Sequence, residues 1–320
     1  MSERVSTMTH RLAIIIPVYK ATFLPAALDS IAKQTCRDFT LYVGDDCSPE
    51  PIGSIVEEYR DKIELVYQRF DSNLGGKDLV AQWERCIAMS KDEPYIWLFS
   101  DDDVMESDCV EKLLRQIEVT KGDYDVYHFD SYRIDEKGKT ELFRKPYPSV
   151  FSSYDFYKGK MSGKYDSYVV ENVFSRNIYE QSDGFKIFDL AWGSDVATWC
   201  IFSNDKGMCS VPKALIGWRR SSQNITPNKS KETAERKLMA DCAFLCWAYR
   251  FFHNEPDIWQ VNRRRFVISM CQYKKMVGSV CLKEASRLFY DTHGHHRERL
   301  FINILIALPR RIRKYMMILW

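Results

Sequence analysis

The chain predicts an α/β fold: a mainly parallel sheet followed by a C-terminal helical appendage. Three observations point there. Apolar runs of strand length alternate with segments of helical periodicity over the first hundred residues. The polar turns after those runs carry the acidic and glycine-containing stretches. Beyond residue 228 helical patterns take over, so the domains are expected at 1–227 and 228–320, divided at Pro227 or Asn228.

Residues 12–19 form a continuous apolar run with β-branched members, the mark of a strand covered on both faces. Pro17 is tolerated because that strand is ending. A helix over 23–34 presents Leu24, Ala27, Leu28 and Ile31 on one face. Residues 39–44 read as the second strand, ending in the polar turn Asp45-Asp46-Cys47-Ser48-Pro49. A short helix over 52–60 and a third strand over 63–68 come next. The turn Asn73-Leu74-Gly75-Gly76 then tolerates positive φ and leads into a helix ending near residue 90.

The fourth strand is Tyr95-Ile96-Trp97-Leu98-Phe99, which runs into Ser100-Asp101-Asp102-Asp103. Three adjacent carboxylates repel one another, and a divalent cation among them offsets that cost. An acidic turn capping the next helix, over 107–120, is the plainer alternative. Open α/β sheets bind ligands at the carboxyl ends of their strands. The polar loops after the first four strands all fall on that edge.

Strands are further expected at 125–130, 140–144 and 168–175, with a hairpin turn at Lys137-Gly138. Trp192-Gly193-Ser194-Asp195 opens a helix that ends near residue 203, and 208–219 is extended. Residues 230–252 are helical, with at least two more helices after them.

Composition is ordinary for a globular protein, with 45% hydrophobic and 28% charged residues. The ten cysteines show no C-x-x-C pair, and the N-terminus shows no signal-peptide pattern. Reduced, mostly buried thiols in a cytoplasmic protein are therefore expected. Net charge is +2, yet residues 261–320 hold 13 Lys/Arg against 3 Asp/Glu. Such asymmetry suggests an anionic surface as partner. The segment 300–320 runs apolar, then basic (Arg310, Arg311, Arg313, Lys314), then apolar to Trp320. Its first apolar run of nine residues is shorter than the roughly 20 a span requires. Lying in a membrane interface or packing on the rest of the chain are the two alternatives. Nucleic acid is not expected, because the arginines alternate with large aliphatics.

Ile14-Ile-Ile-Pro-Val-Tyr19, Asp45-Asp46-Cys-Ser48, Asn73-Leu-Gly75 and Asp101–Asp103 resemble, in order and spacing, glycosyltransferase family 2 with its Rossmann-like GT-A fold. Trp192-Gly-Ser-Asp195 and Gly217-Trp-Arg-Arg-Ser221 resemble that family's later acidic and arginine-containing motifs. Departures are Lys20 for a usual Asn, Cys47 for a common Gly, and Ser100 where the first Asp of a D-x-D often stands.

The resemblance implies inverting transfer of a sugar from a nucleotide-diphosphate sugar, here expected to be a UDP-sugar, with Mn2+ or Mg2+. It places Pro17, Tyr19, Asp45, Asp46, Asn73 and Asp101 at the nucleotide. Asp102, then Asp103, become the metal ligands, and Asp195 the general base. The acceptor would be a lipid-linked saccharide, as in bacterial surface-polysaccharide assembly, at the inner face of the cell membrane. The chemistry holds by itself: a carboxylate takes the acceptor proton, and a cation stabilises the leaving diphosphate. Arg219 and Arg220 could assist at phosphate oxygens.

Plainer readings stand beside these. Asp195 could be a helix N-terminal acid, and Arg263–Arg265 a solvated helix face. His293, His295 and His296 are expected to form a solvated turn. A nucleotidyltransferase would call for a Gly-rich basic loop near the N-terminus, which is not seen. A non-catalytic nucleotide-sugar-binding scaffold would not need the acidic triplet together with Asp195.

Overall fold

A computed structural model describes residues 10–221 and 230–295. The chain packs as two compact units. The first holds the residues up to Ser153 together with Tyr165–Phe185 and Thr198–Ser221. The second combines Tyr154–Lys164 and Lys186–Ala197 with the C-terminal helices. The boundary expected at 227/228 lies outside the described residues, and two segments upstream of it belong with the C-terminal unit.

The first unit begins with β1 (Leu12–Val18), α1 (Leu24–Ala32), β2 (Phe39–Asp45), α2 (Ile52–Glu57), β3 (Leu65–Arg69), α3 (Leu79–Ile87) and β4 (Tyr95–Leu98). It continues through β5 (Val104–Met105), α4 (Cys109–Val119), β6 (Val126–Ile134), β7 (Thr140–Phe143) and β8 (Val150–Phe151). Next along the chain come α5 (Ser153–Met161), β9 (Asn172–Ser175), α6 (Arg176–Gln181), α7 (Ser194–Phe202) and β10 (Met208–Arg219). One sheet runs in the order β3-β2-β1-β4-β9-β6-β10-β5, with β7 on β6 and β8 on β10.

Strands β3, β2, β1 and β4 are all parallel. Their carboxyl ends therefore share one edge, as the alternating pattern requires. From β9 onward the sheet is mixed. β9 runs antiparallel to both β4 and β6, and β6 pairs parallel with β10. β7 comes after β6 by way of the turn 135–139, too short for a parallel crossover, and so pairs antiparallel.

Leu12, Ile14 and Ile16 of β1 join Leu41 and Val43 of β2 and Leu24, Leu28 and Ile31 of α1 in the core. Covering of both faces is why β1 shows no alternation. Trp97 pins β4: its ring stacks on Phe129 at 4.6 Å, and its indole N–H donates to the Val170 carbonyl at 2.8 Å. The strand expected over 168–175 is shorter. Glu171 accepts from the Tyr168 backbone N–H at 2.9 Å, which closes a 3-10 turn over 169–171 before β9 starts.

The second unit contains α8 (Lys231–Phe251), α9 (Ile258–Tyr273) and α10 (Ser279–His293). Ser230 caps α8 by accepting from the Thr233 N–H. Phe266 of α9 stacks on Phe289 of α10 at 4.0 Å. His293, expected in a solvated turn, is instead buried. It contacts Asn262 at 3.2 Å, and its ring lies 4.1 Å from that of Phe289. Ala285, Phe289 and Tyr290, at helical spacing before it, draw the last turn of α10 into the core, and burial pushes the imidazole down to about 4. His296 lies outside the described residues, as does the basic tail 300–320.

All ten cysteines are free. Among the described residues no helix is long and apolar enough to cross a membrane.

Gly44, at the end of β2, sits where a Cβ would lie 2.4 Å from Cys86 Sγ and 3.1 Å from the Phe70 ring. Gly44→Ala is expected to lower stability by about 1–3 kcal/mol through overpacking, read as a shifted midpoint in urea denaturation. An unchanged midpoint would mean that α3 yields at no cost.

Candidate functional site at the carboxyl edge of the sheet

The loops leaving the parallel strands are bonded to one another. The Tyr19 and Lys20 backbone N–H groups both donate to Asp101 Oδ2 at 3.3 Å. Ser48 Oγ donates to the Tyr19 carbonyl at 2.6 Å. The Tyr19 ring is 41% exposed at this edge, whereas Pro17 is partly buried within β1.

Asp45 has no exposed side chain. Its Oδ1 accepts from the Ser48 N–H at 2.8 Å, and its Oδ2 accepts from Tyr67 OH at 2.7 Å and Arg69 at 2.8 Å. Asp46 is nearly as buried. It accepts from the Leu74 N–H at 2.7 Å, the Gly75 N–H at 2.8 Å, Asn73 Nδ2 at 3.0 Å, and Arg85. Asn73 in turn accepts from the Gly76 N–H at 3.1 Å. These three side chains, expected to meet the nucleotide, bond to the loops that follow β2 and β3. A buried carboxylate must be paired, and the protein supplies the partners.

Gly75 is explained by the same bond network, since a Cβ there would lie 2.8 Å from Asp46 Oδ2. Cys47 stands at φ 55, in the left-handed region that favours glycine. Arg69 and Arg85 were not legible as partners. Their pairing with Asp45 and Asp46 spans 24 and 39 residues and leaves no local pattern.

The acidic triplet splays. Asp101 turns to the Tyr19 loop, Ser100 Oγ donates to Asp102 Oδ1, and Asp103 Oδ1 accepts from the Arg219 N–H at 2.7 Å. Burial, then the charge of Asp102, pushes Asp101 up to about 7. The same two causes hold Asp103 well above the usual carboxylate range. Asp102 is raised by burial too, opposed by Ser100, Arg219 and Lys20.

Among the described residues no group of three or more His, Cys, Asp or Glu is arranged to hold a metal. The residues therefore do not fit an all-protein cage. They do fit an Mg2+-type mode, in which one or two carboxylates share the ion with substrate phosphates and water. Asp102 is the suited member: it is partly exposed, while Asp103 is buried against the Arg219 backbone.

Arg219, expected at a phosphate, is only 3% exposed. Its guanidinium donates to the carbonyls of Asp102 at 2.6 Å, Asp135 at 2.9 Å and Glu136 at 3.3 Å, and lies 4.7 Å from the Phe23 ring centre. The planar fork is thus spent on main chain, tying the acidic strand end to the β6–β7 turn. It also lines an open pocket of about 490 Å³ with Thr22, Phe23, Val104, Tyr132 and Lys137. Arg220 is exposed and pairs with Glu141 at 2.8 Å.

Asp195, in the second unit, occupies the first turn of α7. Burial raises its pKa, with the Lys160 charge opposing. A carboxylate with raised affinity for protons is suited to base work near neutral pH.

Arg219→Met should leave the part-buried carbonyls of Asp102 and Asp135 without their guanidinium donor. The expected loss is about 3 kcal/mol in urea denaturation, since an orphaned buried acceptor costs about 1–3 kcal/mol. Arg219→Lys should recover only part, for an ammonium lacks the fork. Equal stability of all three proteins would contradict the clamp.

A family model described as "Glycosyl transferase family 2" matches residues 13–179. Over 96 residues the chain is 32% identical to the poly(ribitol-phosphate) beta-N-acetylglucosaminyltransferase TarS of Staphylococcus aureus, a match covering 29% of this chain and 16% of that protein. It is 27% identical over 131 residues to glycosyltransferase GlyG of Streptococcus pneumoniae, covering 40% and 42%. These matches thus span less than half the length of either curated relative.

Among solved structures, S. aureus TarS 1-349 in complex with UDP-GlcNAc superposes with TM-score 0.57 at 14% identity, covering 92% of this chain and 90% of that one. The mannosyltransferase PcManGT from Pyrobaculum calidifontis, in complex with GDP-Man and Mn2+, gives 0.53 at 14% identity, covering 92% and 86%. At that identity the likeness concerns the fold, which is GT-A. The family match spans more than half of the sequence, and the chain belongs to glycosyltransferase family 2.

Proposed function

We propose that the protein moves a sugar, with inversion, from a nucleotide-diphosphate sugar to a hydroxyl of a saccharide acceptor. One observation carries this reading: the loops after parallel strands converge on a strand end holding Asp101, Asp102 and Asp103. A UDP-sugar is our first choice of donor, on the likeness to a structure holding UDP-GlcNAc.

In this reading the exposed Tyr19 ring lies against the base, with Pro17 beneath that loop and Asp101 near the ribose. Asp45, Asp46 and Asn73 hold the wall of the nucleotide site from behind. Asp102, backed by Asp103, would hold Mn2+ or Mg2+, which stabilises charge on the leaving diphosphate. Asp195 takes the proton of the acceptor hydroxyl as it attacks. Arg220, exposed beside Glu141, would meet an anionic part of donor or acceptor. The acceptor is proposed to be a lipid-linked saccharide of surface-polysaccharide assembly, consistent with the TarS likeness. The basic, apolar-flanked segment 300–320 would hold the enzyme peripherally on the cytoplasmic, anionic face of the cell membrane.

A panel of nucleotide sugars, including UDP-N-acetylglucosamine and GDP-mannose, incubated with Mn2+ should release nucleoside diphosphate from one member. Asp102→Asn should remove most of that release without unfolding the protein. Full activity in excess chelator would sink the metal role, and no release from any donor would sink the transferase mechanism.

Asp195→Asn keeps shape but removes the proton acceptor, so turnover should fall by roughly 10²-fold or more with nucleotide affinity unchanged. Since burial raises the Asp195 pKa, the base is lost as pH falls through that raised value. The acid limb of kcat should therefore lie above the ordinary carboxylate range and vanish in Asp195→Asn. Retained anomeric configuration in the product would contradict inversion.

Full-length protein should sediment with anionic liposomes at low salt, and deletion of residues 300–320 should release it with donor hydrolysis intact. Full-length protein left in the supernatant would overturn the membrane role.

A further inference from the structure

The turn that carries Asp195 is strained. Leu190 at φ 58 and Ala191 at φ 55 hold a conformation that a Cβ disfavours, and Gly193 comes next at φ 91. A side chain at Gly193 is disfavoured twice, by that φ and because its Cβ would lie 3.0 Å from the Phe244 ring of α8, which would have to shift. Strained backbone persists only where its surroundings over-determine it, and here the surroundings are α8.

Arg236 forks onto Asp189 with bonds of 2.9 and 2.6 Å. The Trp192 indole N–H donates to Asp241 Oδ1 at 2.9 Å. Lys237, itself buried, lies 4.9 Å from the centre of the Trp192 ring. Phe188 meets Phe244 edge-on at 5.7 Å. Asp241 is anchored in turn by Ser269 Oγ of α9 at 2.8 Å, with Arg265 at 4.0 Å. Within the turn, the Phe188 N–H donates to Ser194 Oγ at 2.9 Å, so the residue before Asp195 closes the loop on itself.

We propose that α8 is the positioning element for Asp195: Arg236, Trp192 and Asp241 lock the 188–194 turn, and with it the first turn of α7, so that the Asp195 carboxylate keeps one orientation. This rests on Asp195 being the base. Arg236, Trp192 and Asp241 are positioning residues that act through it. An exposed ion pair, a single indole donor and a buried acid all converge on a seven-residue turn that regular secondary structure would not hold.

The test uses the full-length chain and two mild variants. Trp192→Phe keeps a ring beside Lys237 and deletes only the donor to Asp241. Arg236→Gln removes a surface pair whose partners are roughly half exposed, so the protein should fold. Circular dichroism should be unchanged in both. Amide hydrogen exchange across 188–195 should rise. Turnover of the donor found active in the panel, with water or acceptor, should fall about tenfold in kcat while its KM stays within about twofold, as expected for a misaimed base. In an Asp195→Asn background neither change should cause a further loss, because both act through the same group.

Full kcat in both variants overturns the proposal, and so does a loss that multiplies with Asp195→Asn. Normal turnover in Asp195→Asn alone is a separate result. It removes the base assignment, and the proposal with it, while raised exchange in Trp192→Phe would still report the clamp as a purely structural one.

Discussion

Three carboxylates at the end of a buried strand constrain everything around them. β4 is fixed by Trp97 within the core, so its exit cannot drift toward solvent. Each acid therefore loses hydration, and the protein answers with donors: two main-chain N–H groups for Asp101, a serine hydroxyl for Asp102, and the Arg219 N–H for Asp103. The answer is partial. All three remain raised above the ordinary carboxylate pKa. An acid whose pKa is higher in the folded state stabilises the fold below that pKa and ceases to do so as pH rises through it. With Asp101 near 7, the edge carries its electrostatic cost around neutral pH. A cation shared with a diphosphate is the kind of ligand that relieves such a cost.

The rest of the edge forms two tiers. Asp45 and Asp46 are turned inward and hold loops, whereas Tyr19 faces solvent. Arg219 works in the inner tier. By donating to main-chain carbonyls at both the acidic strand end and the β6–β7 turn, it fixes where Asp102 and Asp103 begin. Its cation also balances part of the local negative charge without leaving the interior. The inner tier sets geometry, and the outer tier stays open to solvent.

The parallel half of the fold was legible because its signal is local. Apolar runs separated by polar turns define β1 to β4 and, through chain direction, put their ends on one edge. The acidic triplet was visible for the same reason. What could not be read was the orientation of each side chain. Asp45 and Asp46 look alike in sequence, and nothing local says that Arg69 and Arg85 will arrive to take them inward. Arg219 and Arg220 are neighbours with opposite fates, one buried on carbonyls as the last residue of β10 and one exposed just beyond it. His293 misled because a histidine-rich stretch reads as polar, while Trp259, Phe266 and Phe289 gather around the end of α10.

The path of the chain adds a last consequence. Residues 154–164 and 186–197 leave the sheet unit and pack with helices that come much later in sequence. Cutting the chain near 228 would thus take α8 away from the turn that carries Asp195, and the strained φ values at Leu190, Ala191 and Gly193 would lose their support. The family match ends at residue 179, before that turn, and covers the strands whose loops form the acidic edge. The acidic strand end thus lies inside the matched part of the chain. The turn that carries Asp195 and the helix α8 that packs on it lie outside that match. On the proposal that α8 positions Asp195, a substitution in that helix would alter how the acceptor proton is taken and leave the acidic strand edge in place.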